Sequence, residues 1–182
     1  MTRDKMHIGN AAAFAFDRTD VGGPVADSLI ASGKPAALFY ECLAERTLAL
    51  AQRERRSDPE KGYTADIAGF VGPVLRRCIE SAVPIIGNFG AANPMGAARR
   101  LLALAKEQGI SGLRVAVVEG DDLRENIRGL PTQPWGKEKP LDLANTELLA
   151  ANVYMGSQPI VDALDQDPHI VVTGRVTDSA LT

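Results

Sequence analysis

The sequence predicts an α/β protein in three layers, a mostly parallel sheet with helices on both faces. Two observations predict it. A short apolar run, a Gly/Asn/Asp turn and a helical pattern recur in that order along the chain, the pattern of successive βαβ units. The runs near residues 115 and 170 are continuous and β-branched, as expected of strands covered on both faces. A length of 182 residues fits one domain, assigned across 1–182.

The first strand is expected at Met6–Asn10 and the second at Ala36–Tyr40. A helix follows from Cys42 to near Arg56, where Leu43, Thr47, Leu50 and Ala51 recur at helical spacing before Ser57-Asp58-Pro59 ends the run. The third strand is Val83–Asn88. Asn93-Pro94 then places a preferred N-cap before a proline at the first helical position. Met95, Ala98, Leu102 and Ala105 make one apolar stripe, and Gly109 supplies the left-handed stop. Leu113–Glu119 is the fourth strand, and Gly129–Pro140, with three prolines and Trp135, reads as an irregular excursion. A helix after Ser157 turns Ile160, Val161 and Leu164 inward, and His169–Gly174 is the last strand. Arg175–Thr182 then opens a further helix, so the fold is expected to be C-terminally truncated, a piece of a longer protein.

Composition excludes several classes. Twenty basic and 23 acidic residues leave a net charge of −3, without the basic excess of a DNA-binding domain. Aromatic residues make up 5%, which leaves little for stacking single-stranded bases; no nucleic-acid partner is expected. Cys42 and Cys78 are too few for a disulfide framework and read as core residues. The apolar run Ala11–Phe16 is too short for a membrane span or a signal peptide. A cytoplasmic location without a membrane partner follows as the expectation.

In an open parallel sheet, ligands bind outside the carboxyl ends of the strands. The segments there are Gly9-Asn10, Tyr40-Glu41, Gly87-Asn88, Glu119-Gly120-Asp121-Asp122 and Gly174-Arg175. Such residues are also simply what turns need. Asp121 and Asp122 fit general acid/base work or Mg²⁺ held through oxygen ligands; a solvated turn with an Asp N-cap and a Glu125 capping box is the alternative. Arg175 could grip a carboxylate or phosphate with Asp178 orienting it, or the two form an internal ion pair. Asn88 to Pro94 is a glycine-bearing loop feeding a helix N-terminus, a geometry that binds anions. Glu41 and Glu45 stand four apart, either a carboxylate pair or a solvent-exposed coincidence. No G-x-G-x-x-G, P-loop or G-x-S-x-G motif occurs, so NAD, ATP and serine-hydrolase sites lack support. His7 and His169 are isolated, and the doublets Arg55-Arg56, Arg76-Arg77 and Arg99-Arg100 read as solvated faces.

The ordered segments 8–18, Tyr40–Thr47, Asn88–Pro94, Gly120–Leu123, Ala151–Gly156 and Ile170–Leu181 together resemble the N-terminal domain of the acyclic terpene utilisation (AtuA-like) family. The sequence departs from that pattern at Ala91, where a second glycine is usual, and at Glu41, where Asp is common. The resemblance implies catabolism of citronellol- and geraniol-type terpenes through branched acyl-CoA thioesters, and names a pathway without a mechanism. The expected chemistry is hydratase- or lyase-like. Asp121, Asp178 and Glu45 are the candidate catalytic groups, and Asn10, Asn88, Asn93, Asn152, Tyr154 and Arg175 the candidate substrate-binding groups. A non-catalytic ligand-binding or scaffold subunit is the alternative, with Trp135 as an interface anchor, as a homo-oligomer or with a pathway partner protein.

Overall fold

The computed structural model describes residues 5–136, 142–144 and 147–182; Pro140, the expected end of the irregular excursion, lies outside them. Five strands, β1 (His7–Asn10), β2 (Ala36–Tyr40), β3 (Ile85–Gly87), β4 (Val115–Val118) and β5 (Ile170–Thr173), form one all-parallel sheet. Their spatial order is β1-β2-β3-β5-β4. All five strands fall inside the runs read from the sequence, so the three-layer α/β architecture holds.

The crossovers explain the layering. Connections through α1 (Gly22–Ala31), α2 (Glu45–Ser57), α3 (Ile67–Val71), α4 (Leu75–Glu80) and α5 (Pro94–Glu107) all step in one direction across the sheet. While α2 packs with Leu43, Ala91 and Ala92 in a separate cluster, those of their helices that pack on the sheet share a face, because such crossovers are right-handed. There α1, α3, α4 and α5 bury Ala26, Phe70, Leu75 and Leu101 against Leu38, Ile85 and Ile170. The connection from β4 to β5 runs backwards, so α6 (Gln158–Leu164) lies on the other face, where Ile160, Ala180 and Leu181 pack on Ile86 and Val171. Among the described residues no helix is long and apolar enough to cross a membrane.

Three helix expectations are corrected. The helix expected from Cys42 begins at Glu45, because Asn88 Oδ1 and Glu41 Oε1 take the Cys42 and Leu43 amides at 2.6 and 3.2 Å and hold that stretch as a loop. On the same helix Leu50 faces solvent, while Thr47, Leu48, Ala51 and Gln52 are buried. In α5 the buried stripe is Ala97, Leu101 and Leu104 together with Ala98 and Ala105, and Met95 and Leu102 point outward. This helix carries apolar residues on two overlapping stripes, and packing against α3 selects the leucine pair. In α6, Ile160 is buried and Val161 exposed. The Asn93 cap and the left-handed Gly109 occur as expected.

Candidate functional site

In the order β1-β2-β3-β5-β4, β3 leaves its carboxyl end toward α5 on one face, and β5 leaves toward the turn Asp178–Leu181 on the other. Adjacent strands departing to opposite faces open a crevice at their carboxyl ends, the topological switch point. Two loops meet there: Gly90 N donates to Thr173 O at 3.1 Å, a contact so close that a Cβ at Gly90 would strike that carbonyl. A third segment, 151–155, lies across the ends of β4 and β5. Leu123 N donates to Ala151 O and Val153 N to Asp121 O, while Thr177 N donates to Met155 O at 2.8 Å. This segment stitches the loop after β4 to the loop after β5.

Asp121 sits under that seam, 4% exposed. Its Oδ2 accepts from Arg175 N at 2.8 Å and Asn152 Nδ2 at 2.7 Å, and Gly174 leaves the room its carboxylate occupies. Burial pushes the Asp121 carboxyl above the usual carboxylate range, more than the two donors pull it down. Asp122, the next residue, is set up oppositely. Burial raises it, but Arg124, which grips both of its oxygens at 2.7 to 3.0 Å, and Gln52 Nε2 at 3.2 Å outweigh burial and hold it low. Adjacent carboxylates pushed apart in this way are the pattern from which one acid/base group and one fixed charge emerge. Both aspartates line a polar cleft of about 320 Å³ with Arg55, Glu119, Arg124 and Asn152. Among the described residues, two buried acceptors lack partners: Asn152 Oδ1, from a residue that lines the cleft, and Gln52 Oε1, beside Asp122.

A second constellation adjoins the first across Arg175. Its guanidinium is 3% exposed and donates to Leu43 O at 2.6 Å, Val176 O at 2.8 Å and Asp178 Oδ1. The Tyr154 ring covers it, with the guanidinium carbon 4.6 Å from the centroid, and the Tyr154 hydroxyl donates to Glu45. That bond holds Glu45 below its ordinary value and raises Tyr154. On the inner side Asn88 Nδ2 donates to Glu41 Oε1 at 2.6 Å; burial nevertheless raises Glu41.

The structure therefore brings together Asp121, Asn152, Arg175, Tyr154, Glu45, Asp178 and Asn88. Two expected residues stand elsewhere. Asn93 is committed to the α5 cap, accepting from Gly96 N and donating to Pro59 O and Lys61 O. Asn10 caps its own turn at Ala12 N, on the opposite edge strand from the one leading to Asp121, four strand spacings or about 19 Å away. The five turns share an edge but do not converge on one small ligand. Of the paired readings, Arg175 and Asp178 form the internal ion pair. Asp122 Oδ1 accepts from Arg124 N, an Asx turn with no capping box to Glu125. Asp121 and Asp122 serve different donors, and among the described residues no group of three His, Cys, Asp or Glu side chains is placed to hold a metal ion.

Sequence reasoning overlooked Arg124, Gln52 and Arg55. The Asp122-x-Arg124 spacing belongs to no regular element. Gln52, a polar residue on the buried flank of α2, was the available signal. Arg55, expected on a solvated face, instead lines the cleft and donates to Ala92 O. Residues 6–182 match the acyclic terpene utilisation family protein AtuA. No curated protein and no solved structure matches the chain.

Proposed function

The chain belongs to the acyclic terpene utilisation family, and from that premise we propose that it acts on a branched carboxylate, or its CoA thioester, by acid/base chemistry of the hydratase or lyase type. Family membership supports involvement in acyclic terpene utilisation; the chemistry rests on one observation. Asp121 is a buried carboxyl raised in pKa, oriented by two donors on a single oxygen and lining a polar cleft at the switch point. A general acid or base works best when its pKa lies near the working pH, and burial moves Asp121 in that direction.

In the hydration direction, water adds across the α,β double bond of the substrate. The oxygen of water bonds to the β-carbon, one of its protons passes to the Asp121 carboxylate, and Asp121 delivers a proton to the α-carbon, which regenerates the carboxylate. Lyase chemistry is the reverse. Asn152 and the Arg175 amide hold Oδ2, which leaves Oδ1 as the oxygen for proton transfer. Arg55 and Arg124 are the cations at the cleft for an acidic head group. Arg175, held by Leu43, Val176 and Asp178, acts by positioning the Asp121 loop, and Glu45 and Tyr154 close over it.

The test is turnover of a branched α,β-unsaturated CoA thioester by the wild type and by Asp121→Asn. The substitution keeps shape and both donors but removes the proton-transfer group, so kcat should fall by about 10²-fold or more. Turnover within about threefold of wild type would overturn the reading.

A second reading, a partner-binding subunit without chemistry, is favoured by Trp135, fully exposed in the segment Pro131–Gly136. Exposed tryptophans anchor interfaces. Trp135→Ala would then abolish co-purification of pathway proteins or of a second copy, while Asp121→Asn would not.

A further inference from the structure

We propose that the small apolar pocket beside Ala91 receives the methyl-branched hydrocarbon end of the substrate, and that Ala91 sets how far that chain reaches. The inference rests on the branched-acid reading above and deepens it. Ala91 lines two cavities at once. One is the polar cleft of Asp121; the other is a pocket of about 50 Å³ whose walls include Ala15, Phe16, Leu43, Ala51, Tyr63 and Ala65. Ala91 is thus part of the wall of both cavities.

Three independent features distinguish the position. The Ala91 backbone is left-handed, with φ of 46°, a conformation that costs an alanine energy and a glycine none. Its methyl is nevertheless retained, 4% exposed, against Leu43, Leu48 and Ala51. Glycine would relieve the backbone and leave the space filled by the methyl open. The second feature is size. A space of about 50 Å³ is on the order of two water volumes, room for a pair of methyl groups and too little for a ring. The third is Phe16, which lines the pocket while 70% exposed and stacks edge-on with the exposed Phe14, ring centroids 5.3 Å apart. A hydrocarbon chain held in the pocket would cover part of an aromatic surface that now faces water, and among the described residues Glu54 is the one formally charged side chain lining it.

The experiment titrates the full chain with citronellate, with its CoA thioester, and with isovalerate as the short acid lacking the distal branch. Two variants fill the pocket: Ala65→Leu from its exposed rim and Ala51→Met from α2. Each should weaken citronellate or its thioester by about tenfold or more, since loss of a methylene-sized contact in an apolar pocket is worth at least that. Isovalerate should stay within about threefold. Ala91→Gly, which removes one methyl, should shift preference toward the analogue of citronellate one methylene longer, by a similar factor. Ala65 is exposed, so its variant keeps the test decisive if Ala51→Met fails to fold. The proposal is overturned if both filled variants bind citronellate as the wild type does, if all the acids weaken by one common factor, or if neither citronellate nor its thioester binds the wild type. Such a result alongside loss of turnover in Asp121→Asn removes the subsite and leaves the acid/base reading standing. Selective weakening with turnover intact in Asp121→Asn keeps the subsite and removes the chemistry.

Discussion

Asp121 and Asp122 are neighbours with opposite electrostatic fates, and the difference lies in what each side chain meets. Asp121 is wedged beside Gly174, where a Cβ would overlap its carboxylate. Gly174→Ala is therefore expected to displace Asp121 and to cost about 1–3 kcal/mol. Urea unfolding reads this directly, and an unchanged midpoint would show that the carboxylate has freedom the packing denies. Burial also makes stability depend on pH. The folded-state pKa of Asp121 is raised, so its protonated form is the favoured one. That stability is fully present below the ordinary carboxylate pKa of about 3.9 and is lost as pH rises through the raised value. Asp121→Asn cannot ionise, so its melting temperature relative to wild type should climb with pH across that window and then level off. Glu41, which is also raised, is present in both proteins and cancels. A constant difference across the window would contradict the buried carboxyl. The Gly-Asp-Asp cluster was legible in the sequence as chemistry-bearing. Which aspartate is buried was not, because Asn152, 31 positions on, and Arg175, 54 positions on, supply the donors.

Among the elements, α5 separates what a local signal settles from what packing settles. Its start was legible because the cap is local: Asn93 Oδ1 accepts from Gly96 N at 3.0 Å, and Pro94 occupies the first turn. Asn93 also ties the 59–61 turn to the helix through its amide. Asn93→Ala should therefore cost about 1–2 kcal/mol for the lost cap, with further loss from the freed Pro59 and Lys61 carbonyls. Hydrogen exchange should locate the loosening in the first turn of α5 and in residues 58–62; protection unchanged there would contradict the tie. The buried face of α5 was not legible, since two apolar stripes compete and α3 decides between them. The start of α2 was misread for a related reason. Asn88, from the next strand's loop, takes the Cys42 amide and converts what periodicity reads as helix into the loop that holds Arg175 through Leu43 O. The central strands β2, β3 and β5 escaped such errors because each is a short apolar run enclosed on the sheet, where local pattern and tertiary burial agree.

For the molecule as a whole, strand order decides which polar turns can act together. The recurrence of apolar run, turn and helix made a parallel sheet legible, and with it an edge carrying every candidate residue. It did not reveal that β5 inserts between β3 and β4. That insertion creates the switch point, brings Gly174-Arg175 against both the Asn88 loop and Asp121, and leaves Asn10 on the far edge. The site is narrower than the sequence suggested and centred on one carboxyl. Its most direct test is proton transfer itself: the full chain is incubated in deuterated water with a branched acyl-CoA thioester, and deuterium at the α-carbon is followed by mass spectrometry. Wild type should incorporate one deuterium at a rate that Asp121→Asn reduces by about 10²-fold or more, while Asp122→Asn, whose carboxylate is bound by Arg124, retains most of the exchange. Equal incorporation by wild type and Asp121→Asn would show that the buried carboxyl at the switch point moves no proton.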